Sequence, residues 1–224
     1  MGMSPEVLSS LQEELKTYES LELSSSNGIS ISGSIDLVEG GVQFETYDIK
    51  LLFPSNYGDF SSKTFPYRYP LVYETSNKIP SNIGHHKSKH GQLCLEIPPR
   101  ELVICKDGIT LTYFIEEILK PHLAIQYVKV NSNEKKYLYA EYDHDLNGYW
   151  DYFKEYYQLD DKQLVLKALA YTTYNLSWSK SKPCFCGSER QYSECHMLAV
   201  ESEIHLTSKE IRRIYFKLKR NYEN

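Results

Sequence analysis

The apolar positions of this chain change period several times, and the changes divide it into elements. Leu8, Leu11, Leu15 and Tyr18 recur at helical spacing behind Ser4-Pro5-Glu6. That pattern predicts a first helix with Pro5 in its opening turn. Ser24, Ser25, Ser26, Asn27 and Gly28 break it, after which Ile29, Ile31, Ile35 and Leu37 alternate with Ser and Asp as in a half-buried strand. Gly40-Gly41 supplies a turn, and Val42 to Phe53 reads as a second strand. Its alternation changes parity between Phe44 and Tyr47, where a bulge is expected. A loop rich in Ser, Pro and Tyr leads to a third strand around Leu71 to Glu74. From Ser76 to Pro99 the chain is polar and irregular, with Pro80, Gly84, Gly91, Pro98 and Pro99 among three histidines and one cysteine. Long segments of this kind inside compact domains carry function or are disordered.

Helical spacing returns with Leu111, Phe114, Ile115, Ile118 and Leu119, and Pro121 is expected to end or kink that helix. Cys105, in LVICKDG, reads as a buried strand residue. Asn147 to Tyr157 is crowded with aromatic residues, read as the packing of a C-terminal helical layer, and Leu164 to Trp178 is expected to be helical. A capping box of Thr207 with Glu210 opens a basic helix to Tyr222, with Ile211, Ile214, Tyr215 and Leu218 on one face. Its Lys and Arg residues form a solvated face or a dock for an acidic partner.

Composition narrows the class. With 224 residues, 41% hydrophobic and 25% charged, the chain suits one medium soluble domain with a small appendage. A net charge of −5 argues against a nucleic-acid binder driven by phosphate contacts. No apolar run approaches the roughly 20 residues of a membrane span, and MGMSPEVLSSLQEELK lacks the features of a secretion signal. The cytoplasm is therefore the expected location, and no membrane partner is expected. Five cysteines, an odd number, point to a metal site plus free thiols rather than a disulfide framework.

Three of those cysteines lie in PCFCGSERQYSECH, where Cys184, Cys186, Cys195 and His196 provide four S and N ligands at short spacing. Tetrahedral zinc takes such a set, and four protein ligands leave no open position, so the expected ion is structural Zn2+. The segment at 183–196 resembles the SEC-C motif, a zinc-binding appendage found on many unrelated proteins.

Cys94 lies in HGQLCLEIPP, close to His85, His86 and His90. A thiolate is the reactive form of cysteine, and nearby imidazoles favour it or donate to an oxyanion. A cysteine between Leu93 and Leu95 also suits a buried structural position. The order of elements (helix, antiparallel meander, irregular cysteine loop, helix) resembles the ubiquitin-conjugating family over residues 5 to 125. EGGVQFETYDIKLLFPSNY is similar to that family's second and third strands, and YPLVYETSNKIP to the proline-bearing strand before its active-site loop. Gly91 stands three residues before the cysteine, as in the family. Leu95-Glu96-Ile97 follows it, where many members have Leu-Asp-Ile. The family's asparagine eight residues upstream is replaced by His86.

The resemblance implies an α+β ubiquitin-conjugating-like domain at 1–160, then a helical segment with the zinc motif at 161–224. It implies that Cys94 carries the C-terminus of a protein as a thioester and passes it to an amine. His86 would serve the oxyanion or position the loop, and His85 and His90 would carry protons. An aromatic segment followed by a SEC-C-like tail is similar to bacterial members from CBASS-type antiphage systems, which act on a cGAS-like nucleotidyltransferase that makes cyclic oligonucleotides. The competing readings are a non-catalytic interaction module of the same fold and a cysteine hydrolase, for which no residue to orient the base is evident.

Overall fold

In the computed structural model the alternating residues of the N-terminal part form an antiparallel meander of four strands in the order β1-β2-β3-β4. The strands are β1 Leu21–Ser24, β2 Ser30–Glu39, β3 Val42–Leu52 and β4 Leu71–Glu74. The structure describes residues 5–26, 28–53, 69–105, 108–132, 141–174, 176, 178–201 and 208–223. Ser4, the Ser-, Pro- and Tyr-rich loop at 54–68 and the Thr207 capping box lie outside them. The chain divides into two units, Met1–Glu96 with Ile104–Ala140 and Ile97–Val103 with Glu141–Asn224. The architecture is mixed α+β, with a four-stranded antiparallel sheet and a cysteine-rich site near the C-terminus.

The first unit begins with α1, Pro5–Leu15, which buries Leu11. Strand β1 was not expected from the sequence, because the serines after it mask the alternation of Leu21 and Leu23. It pairs Leu21 with Gly33 of β2. Gly33 sits at φ +148, and a Cβ there would stand 1.9 Å from the Ser20 carbonyl oxygen. Only glycine allows the two strands this approach. Strands β2 and β3 are joined by Gly40 and Gly41, both at positive φ, the geometry of a two-residue hairpin loop that follows strand twist. The bulge falls at Phe44: Leu37 pairs with Glu45 and Val38 with Gln43, leaving Phe44 as the extra residue. Beyond it Tyr47, Ile49 and Leu51 all face the core with Ile31, Ile35 and Leu37 of β2.

Cys105 is buried, but it follows a helix, α2 Pro98–Ile104, and not a strand as expected. Two adjacent prolines start this helix in its first turn, where no intrahelical N–H donors are needed. Pro121, expected to end or kink its helix, does not end it: the helix runs through, with a change of turn just before the proline. A short α-turn, α3 Leu111–Tyr113, passes into a π-helical stretch at Phe114–Leu119 and then into α4, Lys120–Asn131. The Lys120 N–H bonds the Ile115 carbonyl, five residues back. One extra residue in the turn accommodates a proline that has no N–H to give. Phe114, Ile115, Leu119 and Leu123 seal the core of this unit.

The second unit is helical: α5 Asp145–Tyr157, α6 Lys162–Tyr174, α7 Met197–Glu201 and α8 Ser208–Glu223. The aromatic run is core, with Trp150, Phe153 and Tyr157 buried. Gln158 at φ 53 ends α5, and the Asp161 carboxylate caps α6 by accepting from the N–H groups of Gln163 and Leu164. Trp150 Nε1–H donates to Asn221 of α8 at 3.0 Å. Helix α6 stops at Tyr174 rather than near Trp178. The Trp178 indole instead turns onto Tyr171 and donates to the Pro183 carbonyl, which folds the chain back. No described helix is long and apolar enough to cross a membrane.

Candidate metal centre and candidate thiol site

A short hairpin builds the metal centre. Cys184 N–H bonds the Arg190 carbonyl at 2.8 Å, Pro183 bridges Gln191, and Gly187 turns the chain at φ +82. A single 3-10 turn at Tyr192–Glu194 then brings Cys195 back, and His196 stands immediately before α7. Aromatic packing fixes the hairpin on α6: Phe185 stacks on Tyr171 at 5.6 Å, and Lys167 lies over both Phe185 and Trp178.

The four ligand atoms of Cys184, Cys186, Cys195 and His196 all lie within 4.8 Å of one another. Cys186 and Cys195 sulfurs are 3.7 Å apart, and His196 Nδ1 is 3.3 Å from Cys184 and 3.1 Å from Cys195. The edge of a tetrahedron with zinc–sulfur bonds of ~2.3 Å is ~3.8 Å, so the set fits zinc closely. The imidazole also bonds the Tyr157 carbonyl, which fixes the ring and leaves Nδ1 to face the thiols. Burial pushes the Cys184 thiol up to about 11. Burial works against Cys186 as well, but hydrogen bonds from the Ser188 hydroxyl and N–H outweigh it and hold that thiol low. A bound cation would replace the protons on these sulfurs and neutralise the thiolates. With four protein ligands it would hold the hairpin closed and offer no position to a substrate.

The thiol site is built on the edge of the sheet. Gly91 and Leu93 run alongside β4: Glu74 N–H donates to the Gly91 carbonyl at 2.9 Å, and Leu93 N–H to that of Val72 at 2.8 Å. Residues 87–93 also pair with themselves, through Lys87 with Leu93 and Ser88 with Gln92. Lys87 is buried and forms an ion pair with the buried Glu74, while its ammonium also donates to the Ile79 carbonyl. Burial alone would raise the Glu74 pKa, but hydrogen bonds from Lys87, Ser76 and the Lys78 N–H hold it below the ordinary carboxylate range. This pair staples the hairpin to β4.

Cys94 emerges exposed at the end of the paired segment, so the buried structural position is not what the thiol occupies. Its N–H donates to the His86 carbonyl at 2.7 Å, and a His86 ring nitrogen lies within 4.8 Å of its sulfur. His86 holds a left-handed backbone at φ 48, uncommon for a residue with a side chain and often found at functional loops. His85 closes a 3-10 turn capped by the Asn82 side chain, and its Nδ1 meets Gln126 Oε1 at 3.1 Å. His90 is at the far tip of the hairpin, four residues along from Cys94. The structure therefore brings His86 to the thiol and leaves His90 apart.

Sequence reasoning missed His122 and Gln126 on α4. Their burial is visible only once the helix is known to continue past Pro121. His122 lies edge-on to His86 with ring centres 6.2 Å apart, and Gln126 is fully buried. Burial pushes His122 down to about 3, helped by the charges of His86 and Lys129.

Residues 181–198 match the SEC-C motif, and the matched span contains all four members of the cysteine and histidine cluster. That motif is of the zinc-binding type. No curated protein and no solved structure matches the chain.

Proposed function

We propose that the first unit is a ubiquitin-conjugating-like acyl carrier in which Cys94 holds the C-terminus of a protein as a thioester. The observation that carries this reading is an exposed thiol at the end of a sheet-anchored hairpin, with a histidine ring beside it. The order of helix, meander, irregular loop and helix supports it as well. The Cys94 thiolate attacks the carbonyl of an activated acyl group on a partner, whose leaving group departs. An amine then attacks the thioester, an amide forms and the thiolate leaves. Such exchange needs a reachable thiolate and a donor to the oxyanion, and little general-base strength. His86 serves that oxyanion or positions the loop, and His85 belongs to the same loop. On the resemblance to bacterial antiphage proteins, the carried protein is a cGAS-like nucleotidyltransferase. The zinc hairpin is structural in this reading.

The test is the intact mass of Cys94→Lys and Cys94→Ala proteins purified from cells that co-express neighbouring genes. A lysine at 94 would trap the cargo as an amide that reducing agents leave in place. An adduct on the lysine variant alone is expected, and its mass identifies the cargo. No adduct on either variant, with an unmodified partner co-purifying, would make this fold an interaction module instead.

A further inference from the structure

Three polar residues of α4, His122, Gln126 and Lys129, share one face of the helix at positions i, i+4 and i+7. Each meets one of three consecutive residues in the turn before the thiol hairpin. Lys129 Nζ donates to the Gly84 carbonyl at 3.0 Å, Gln126 Oε1 meets His85 Nδ1 at 3.1 Å, and His122 lies edge-on to His86. An amide oxygen only accepts, so His85 carries its proton on Nδ1 at this contact. His86 in turn accepts the Cys94 N–H.

We infer that this stripe is the positioning device of the thiol site, holding residues 84–86 one by one so that His86 stays beside Cys94. Two features single the stripe out. Gln126 is fully buried on a helix whose neighbouring Leu123 and Ile125 are apolar, and burying a polar side chain is unfavourable unless it is hydrogen-bonded, as Gln126 is to His85. The turn they hold contains His86 in a left-handed conformation, which persists only where the surroundings impose it. The helix behind the loop steadies it through three side chains. His122, Gln126 and Lys129 are thus positioning residues, acting through His85 and His86.

The inference rests on Cys94 as the reacting group, but its test needs no cargo. The full chain, loaded with zinc, is treated with iodoacetamide at neutral pH, and alkylation of the Cys94 peptide is followed by mass spectrometry. Gln126→Leu is expected to slow alkylation roughly fivefold, the change that one lost hydrogen bond makes. Gln126→Glu keeps an oxygen acceptor for His85 and is expected to react faster than Gln126→Leu. Packing alone predicts the reverse order, because a buried carboxylate fits an apolar position worse than leucine does. Lys129→Met covers the case in which the Gln126 variants fail to fold. It is expected to slow alkylation, and Lys129→Arg to restore it. Unchanged rates in Gln126→Leu and Lys129→Met, or Leu reacting faster than Glu at 126, would overturn the clamp. The carrier reading fails separately, through the absence of a trapped adduct on Cys94→Lys.

Discussion

His122 is a neutral imidazole held inside the first unit, and it makes the stability of the fold sensitive to acid. Its folded pKa lies near 3, while an unfolded histidine titrates near 6.5. Below about pH 6.5 the unfolded chain takes up a proton that the folded one refuses until about pH 3, so stability falls as pH drops through that window. The slope contributed by one such group is about 1.4 kcal/mol per pH unit. Glu74 adds to the same trend lower down, because its depressed carboxyl stabilises the fold above the ordinary carboxylate range and loses that contribution as it protonates. Urea unfolding between pH 4 and 7 should show this acid limb, and His122→Phe should flatten it above pH 5. At this scale the four members of the cysteine and histidine cluster were legible in the sequence, since their geometry depends only on a short closed hairpin. Cys94 and His86 were legible as candidates. His122 and Gln126 were not, because a long-range contact gives them their surroundings.

Elements depend on backbone fit, and the closest fit in the sheet is at Gly33. Any side chain there would overlap the Ser20 carbonyl, and the φ of +148 adds strain for a residue with a Cβ. Gly33→Ala should therefore cost at least about 2 kcal/mol in urea unfolding, more than a surface substitution of similar size. The strands β2 to β4, the bulge and the Gly-Gly turn could be read from alternation, because alternation reports directly which face is buried. Strand β1 could not, being four residues long and followed by serines. The rule that a proline ends a helix did not apply at Pro121 for a related reason. It assumes an α-register, and the π-helical stretch supplies the extra residue that lets the helix continue.

For the whole molecule, the boundary drawn from the sequence at 160 falls inside the second unit, since the aromatic helix α5 packs with the helices that follow it. The antiparallel meander and the mixed architecture were readable, while the ubiquitin-conjugating character rests on resemblance and on the trapping experiment. The second unit is expected to depend on a metal held by the cluster of Cys184, Cys186, Cys195 and His196. The purified protein should contain one equivalent of zinc by elemental analysis, Cys184→Ser or His196→Ala should lose it, and Cys94→Ser should keep it. Chelation should lower the stability reported by Trp178 fluorescence by at least about 4 kcal/mol, the linkage value at a thousandfold excess of metal over its Kd. The indole is a direct reporter, because it donates to the carbonyl that opens the zinc hairpin.

The pairing of Gly91 and Leu93 with β4 has a further consequence. The open border of a sheet is a template on which other chains nucleate fibrils, and cells tend to guard it with charge, proline or a covering segment. In this molecule the covering segment is the one that displays the exposed sulfur of Cys94. Whatever frees the thiol loop from the sheet, whether oxidation, truncation or loss of the buried Lys87 and Glu74 pair, would also uncover a sticky border. Display of the thiol and cover of the sheet border thus rest on the same few hydrogen bonds.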